Sequence, residues 1–218
     1  VISLKEGKLT VADMSLDIDC LFQLKRQKSL VLAKASNVEI SDVFSLMPKE
    51  IGDKLQSYKT KGKVNGTVEI ITEKRKKTPK LNVDFEVKNG SITENTSGVT
   101  LSELILKGNF NTNAGTQRLE LMEGGGNLEG GKFTITGKVL GKQTQTIFSS
   151  INGQFDLQKL GSFLNLSGVE TMNGTLVLNN QFAGTVKPDK TISVSEFTGT
   201  AKLNNAGLKL KANEGEFS

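Results

Sequence analysis

The chain has 218 residues, a net charge of +5, 23 Gly, 3 Pro, one Cys, and neither His nor Trp. Without His there is no base for a Ser-His-Asp or Cys-His hydrolase, and a lone Cys supplies neither an internal disulfide nor the ligands of a zinc site. Hydrophobic residues other than Gly make up 36%, so many strands are expected to keep one wet face. A nucleic-acid reader needs basic residues interleaved with stacking aromatics; here Tyr58 is the only Tyr and the Phe residues sit mostly inside strand patterns. No apolar run approaches the roughly 20 residues that span a bilayer as a helix.

The first residues, Val1 to Leu4, already read as strand, and Glu214 to Ser218 as the opening of another. The sequence is therefore expected to be a piece of a longer chain. Asp17-x-Asp19 lacks the Gly and the later Glu of a calcium loop and reads as a solvated strand face. Cys20 reads as a small strand residue. Ser41 to about Tyr58 predicts a helix, with Ser41 or Asp42 as its cap, apolar positions at Val43, Leu46, Met47, Ile51 and Leu55, and a kink at Pro48. The run Glu73-Lys74-Arg75-Lys76-Lys77 lies between two strand patterns. It reads as a solvated hairpin loop that could also meet anionic head groups, each basic residue adding up to about 1 kcal/mol near such a surface.

Leu81 to Lys88 alternates strictly: Leu81, Val83, Phe85 and Val87 on one face, Asn82, Asp84, Glu86 and Lys88 on the other. Asn89-Gly90 follows as a hairpin-turn signal. Related runs are Leu104 to Phe110, Leu119 with Leu121, Phe133 with Ile135 and Val139, Leu176 with Leu178, and Leu208 with Leu210. Further turn signals fall at Asn113-Ala114-Gly115, Gly124-Gly125-Gly126, Gly130-Gly131, Asn152-Gly153, Pro188-Asp189 and Asn205-Ala206-Gly207. The triple Gly is no phosphate cradle, since neither Lys-Ser/Thr nor a helix follows it. A second, shorter helix is predicted from Leu157 to about Leu166, capped by Asp156, with Leu157, Leu160 and Leu164 as its stripe. In all, about fourteen strands are expected at the close spacing of an all-β fold.

One signature occurs twice. Val38-Glu39-Ile40-Ser41-Asp42-Val43-Phe44 leads to Asn65-Gly66-Thr67-Val68-Glu69-Ile70, and Phe155-Asp156-Leu157-Gln158-Lys159-Leu160 leads to Asn173-Gly174-Thr175-Leu176-Val177-Leu178. The order is the same and the intervening lengths differ, as in a loose, diverged repeat. The expected organisation is one continuous β-rich region over 1–218, with diverged units at 1–140 and 141–218.

The succession of a short helix, a Gly-containing strand, Thr78-Pro79-Lys80 through Asn89-Gly90-Ser91-Ile92, a Gly-rich amphipathic strand and a helix of the form Phe-Asp-Leu-x-x-Leu-x-x-Phe-Leu (Phe155 to Leu164) resembles the periplasmic part of AsmA-like proteins of Gram-negative bacteria, in particular those of Bacteroidota. The resemblance runs best from Val38 to Val186. It implies membership of a wider group of bridge-like proteins built from repeating β-groove units and implicated in moving phospholipid between membranes and in outer-membrane biogenesis. It also implies a periplasmic location and an inner-membrane helix that this sequence does not include.

The expected fold is mainly β, an elongated, curled antiparallel sheet, either an open groove or a flattened barrel or sandwich, with two short capping helices. Groove-lining positions would be Leu81, Val83, Phe85, Val87, Leu104, Leu106, Phe110, Phe133 and Ile135. Lys74, Arg75, Lys76 and Lys77 are the candidate head-group contacts. No catalytic residue, metal or cofactor is expected; the partner would be a phospholipid or other acyl lipid, not nucleic acid. The same alternation describes a closed β core, so a structural or adhesive module binding a protein partner is the alternative reading.

Overall fold

The computed structural model describes residues 1–211 other than 12–13, 46–51, 54, 75, 77, 114–115 and 167. In chain order the elements are β1 (Ile2–Val11), β2 (Met14–Gln23), β3 (Lys28–Glu39), α1 (Ile40–Ser45), β4 (Tyr58–Glu73), β5 (Lys80–Glu94), β6 (Thr100–Asn113) and β7 (Thr116–Leu128). They continue with β8 (Gly131–Leu140), β9 (Gln145–Asp156), α2 (Leu157–Leu164), β10 (Val169–Val186) and β11 (Ile192–Leu210). All eleven strands form one antiparallel sheet in strict sequence order, curled and unclosed, with β1 and β11 as its edges.

The pairing registers decide what each face carries. Partners across an antiparallel ladder share a face, so the phase of one strand fixes that of the next. Leu4 pairs with Cys20, Cys20 with Val31, Val31 with Ile70, and Ile70 with Leu81. Val83 pairs with Phe110, Phe110 with Leu119, and Leu119 with Val139. Val139 pairs with Ile147, and on the last strands Leu176 pairs with Phe155 and Leu203. One face is thus apolar from edge to edge. The opposite face carries Asp17, Lys34, Glu69, Asp84, Asn109, Glu120, Lys138, Asn152 and Lys202. Asn109 there donates to Asn82 at 2.9 Å and to Asp84 at 2.7 Å, and accepts from Asn111 at 2.9 Å. Asp17 and Asp19 are exposed on this face, and Asp19 accepts from the Glu6 N–H.

Among the described residues fewer strands form than the expected fourteen, because several turn signals lie inside strands. Asn89-Gly90, Gly124-Gly125-Gly126, Asn152-Gly153 and Asn205-Ala206-Gly207 fall within β5, β7, β9 and β11. At Asn89 and Asn205 the backbone has positive φ and the register shifts by one residue, the marks of a β-bulge. Gly153 and Gly124 instead sit under neighbouring side chains, Phe133 and Ile135. Gly130-Gly131 and Pro188-Asp189 do make turns, between β7 and β8 and between β10 and β11. The Ala114-Gly115 signal lies outside the described residues.

Both helices follow a strand directly. α1 starts at Ile40, so Ser41 and Asp42 stand in its first turn and neither is its cap. The start is fixed by Ile40, which is buried against the sheet. The expected continuation through Leu46, Met47, Pro48 and Ile51 lies outside the described residues. α2 is capped as expected, the Asp156 carboxylate accepting from the Lys159 N–H at 3.0 Å, and it ends at Leu164 with Asn165 in the left-handed region. The two copies of the repeated signature occupy equivalent places. Val38 and Phe155 are buried at the strand ends, and Ile40 and Leu157 are buried as first helical residues.

The bulge at Asn89-Gly90 forces a close approach to β4. Gly62 has φ 119° and an added Cβ there would lie 2.8 Å from the Gly90 Cα. Gly98, with φ 70°, faces open space. Gly62→Val is therefore expected to cost at least about 2 kcal/mol in urea unfolding, and Gly98→Ala only about 1 kcal/mol. Equal costs at the two sites would show that the close approach carries no strain.

Candidate functional site

The apolar face is treated differently at its two ends. At the end where the helices lie, Val87, Leu101, Leu104, Leu128 and Phe155 join Ile40 of α1 and Val99 of the β5–β6 turn in one buried cluster. Phe44, Leu160 and Phe163 of the helices pack against it, and Phe133 meets Phe155 at a ring-centroid distance of 5.4 Å. α2 touches β9, β10 and β5. Its Phe163 carbonyl also accepts a 2.9 Å hydrogen bond from Tyr58 of β4, whose ring lies 5.5 Å from the Phe163 ring. In a flat sheet β4 and β9 would stand five strand spacings apart, roughly 24 Å. A helix about 10–12 Å across touches both, so the sheet curls toward its apolar face and the helices close one end of the resulting trough.

Beyond the helices no described residue covers the apolar face. Leu4, Phe22, Leu119, Val194, Phe197 and Leu203 all lie on it and are exposed, Phe197 and Leu203 by 57% and 62%. The accessible surface of 14828 Å² compares with roughly 9,800 Å² for a compact monomer of this mass. The surplus is what a single open layer leaves in water.

All nine lining positions named from the sequence fall on this face, by the registers of β5 with β6 and of β7 with β8 and by the packing of Leu104 on Val87. They do not share one environment. Val87 and Leu104, each 5% exposed, are sealed in the cluster under the helices. Leu81, Val83, Phe85, Phe110 and Ile135 are half-buried along the open part, and Leu106 and Phe133 stand at the border between the two. The Phe85 ring lies over Gly108 on the next strand, so near that a Cβ there would collide with it. A Gly facing an aromatic lets the curled strands come together on their inner side. The sequence reading missed the outer walls of the trough: β1 and β2 (Leu4, Leu9, Leu16, Ile18) and β10 and β11 (Phe182, Val194, Phe197, Leu203). Alternation in those strands carried the signal.

The basic loop lies at the other end of the sheet. Lys76 is paired with Glu73 at 2.8 Å and Lys74 donates its backbone N–H to Gln27. The hydrogen bond from Lys76 is the main cause holding the Glu73 carboxyl below its ordinary value. Arg75 and Lys77 lie outside the described residues. Cys20 is half-buried on the apolar face. Among the described residues no group of three or more His, Cys, Asp or Glu is placed to hold a metal, and no helix is long and apolar enough to cross a membrane. Comparison with protein-family models, with curated proteins and with solved structures finds no match.

The division of the face into a sealed end and an open end has a direct test. Leu104→Ala is expected to cost about 2–5 kcal/mol by chemical denaturation, as for a buried core Leu. Leu119→Ala, 41% exposed, should cost less than about 1 kcal/mol. Comparable losses would mean that the open end is packed as tightly as the helix end.

Glu129 ties the helix plug to the β7–β8 turn. Its carboxylate takes the Lys159 ammonium at 3.1 Å and the Thr100 N–H at 3.2 Å, and these bonds, Lys159 first, lower its pKa. A carboxyl depressed in the fold contributes stability that is present above its unfolded value, near about 4.3, and is lost as pH falls through the folded value. The stability gap between the native chain and Glu129→Gln should therefore be widest near neutral pH and shrink below about pH 4. A gap independent of pH would remove the charge from the account.

Proposed function

We propose that this chain is a non-enzymatic β-groove segment that shields lipid acyl chains from water. The observation that carries the proposal is the continuous apolar face of eleven strands, closed by helices at one end and half-buried to exposed elsewhere. Each buried methylene is worth about 0.8 kcal/mol, so a sixteen-carbon chain held in water costs roughly 12 kcal/mol that an apolar trough can offset. The sheet satisfies its own backbone hydrogen bonds, so the lining needs no polar groups of its own. The resemblance to AsmA-like proteins supports the same reading and adds its setting: a periplasmic segment, tethered to the inner membrane elsewhere in its chain, that contributes to phospholipid movement between membranes and to outer-membrane biogenesis. The uncovered face favours this over an adhesive module with a sealed core.

The proposal predicts that Phe85→Asp and Ile135→Asp each weaken binding of a fluorescent fatty acid by about tenfold or more, since each sets a charge against the chain. Thr134→Asp, on the polar face of the same strand as Ile135, should leave binding unchanged. Folding is monitored by circular dichroism. If both inner-face variants stay folded and bind as the native chain does, those residues do not line a lipid site. If the purified chain neither carries lipid by native mass spectrometry nor takes up fatty acid, the function itself is wrong.

A further inference from the structure

The inner face carries a polar side chain that the fold leaves unused. Asn180 of β10 pairs with Ile151 of β9 and with Gly199 of β11, and Ile151 pairs with the lining residue Ile135. Partners across the ladder share a face, so the Asn180 amide stands on the apolar side of the sheet. The residue is 8% exposed. Its neighbours two positions away along β10 are Leu178, which packs against the sealed cluster, and Phe182, which does not belong to it. Asn180 therefore stands where the helix-capped end gives way to the open trough.

Other polar groups on this face are satisfied within the sheet. Ser29 and Thr72 bond to each other, and Thr112 accepts from the Leu81 N–H at 3.0 Å. The Asn180 amide has no partner among the described residues, and neither is it sealed: the buried side-chain atoms there that lack both a partner and solvent access are Glu94 Oε1 and Arg118 Nε. The backbone of the sheet lies behind the amide, so the edge it keeps open faces the trough. Gly199 has no side chain to close it off on the β11 side. A hydroxyl stands near it. Ser149 pairs with Phe182 and with Gly137, one diagonal step from Asn180, about 7–8 Å away. An apolar pocket with a few placed polar groups uses them to fix the orientation of what it holds. A buried amide without a partner is costly unless something supplies one.

We propose that Asn180 receives the carbonyl oxygen of an acyl ligand, its NH₂ group donating, with the Ser149 hydroxyl as a second donor. An acyl chain has polar atoms only at its carbonyl end. A carbonyl oxygen only accepts, which suits a side-chain NH₂ and a hydroxyl. The carbonyl can belong to a free fatty acid or to an ester of a larger lipid. The inference rests on the trough holding acyl chains and adds the depth at which the polar end of the chain comes to rest: beside the helix-capped end, with the alkyl part along the open strands.

The experiment is displacement of a bound fluorescent fatty acid from the whole 218-residue chain. The competitors are methyl decanoate, decyl methyl ether, which has CH₂ in place of the carbonyl, and decanoic acid. Comparing the native chain with Asn180→Leu cancels the unequal water solubilities of the probes. The expected ester-to-ether affinity ratio is about five- to tenfold higher in the native chain than in Asn180→Leu, the worth of one hydrogen bond to a buried amide. Affinity for the ether should be kept or raised. Thermal unfolding should show the variant at least as stable as the native chain, because an apolar residue of similar size replaces an unsatisfied amide. The acid-to-ether ratio falls with the ester ratio if the site takes free fatty acids and stays unchanged if it takes esters only; both uphold the proposal. A second measurement needs no variant: the infrared carbonyl band of isotope-labelled methyl decanoate, bound to the native chain, should lie below its position in hexane, as for a hydrogen-bonded ester. An unshifted band, or an ester-to-ether ratio unchanged in folded Asn180→Leu, overturns the proposal and leaves the trough reading standing. Failure of the native chain to bind the fluorescent fatty acid overturns both.

Discussion

The antiparallel ladder carries the phase of each strand into its neighbour, and the rest of the molecule depends on that transfer. Because side chains alternate with a period of two, a slip of one residue anywhere would turn every later strand inside out. This chain makes such slips repeatedly, between Leu4 and Gly7, Ala35 and Val38, Val87 and Gly90, and Leu121 and Gly124. Each is a bulge, two residues facing one, so the strand loses its alternation in sequence while keeping its face in space. Bulges also add bend and twist. The device that keeps the apolar residues together thus also curls the sheet around them.

How much of this the sequence revealed follows from the same geometry. Leu81 to Lys88 was readable because no bulge interrupts it, and both of its faces stand where the alternation puts them. Across a bulge the rule fails locally: the inner residues are Val87 and Gly90, not Val87 and Asn89. Asn89-Gly90 and Asn205-Ala206-Gly207 were read as turns because positive φ at Asn or Gly serves a bulge as well as a hairpin, and only the partner strand distinguishes the two. The Asp156 cap was legible since it lies three residues from the Lys159 N–H that donates to it. The α1 start was not, because Ile40 is held by strands far along the chain. The same holds for depth: the sequence placed Val87 and Phe85 on one face, but that helices seal the first and leave the second half-covered is a fact of tertiary packing.

Stability and openness are divided between the two ends. An unclosed single layer cannot bury both faces, and its exposed apolar surface opposes folding unless another part of the molecule compensates. The compensation is concentrated where α1 and α2 turn the inner face into a two-layer core. Neither helix is long enough to stand alone; each is held by the sheet it covers. The strands beyond them, extending to Leu203 and Phe197 at the edge, are held by the ladder more than by packing. The apolar face can therefore stay open without loss of the fold, because the residues that hold the fold and those that face outward sit at different heights on the same strands.

α2 makes that division sharp. Leu157, Leu160 and Phe163 turn toward the sheet and end the apolar trough, while Gln158, Ser162 and Asn165 line a crevice of about 560 Å³ that Glu94, Leu166, Val169 and Met172 also border. One helix of eight residues thus lies between the apolar face and a crevice of mixed lining. Tyr58 spans the boundary, its ring against Phe163 and its hydroxyl bonded to the Phe163 carbonyl.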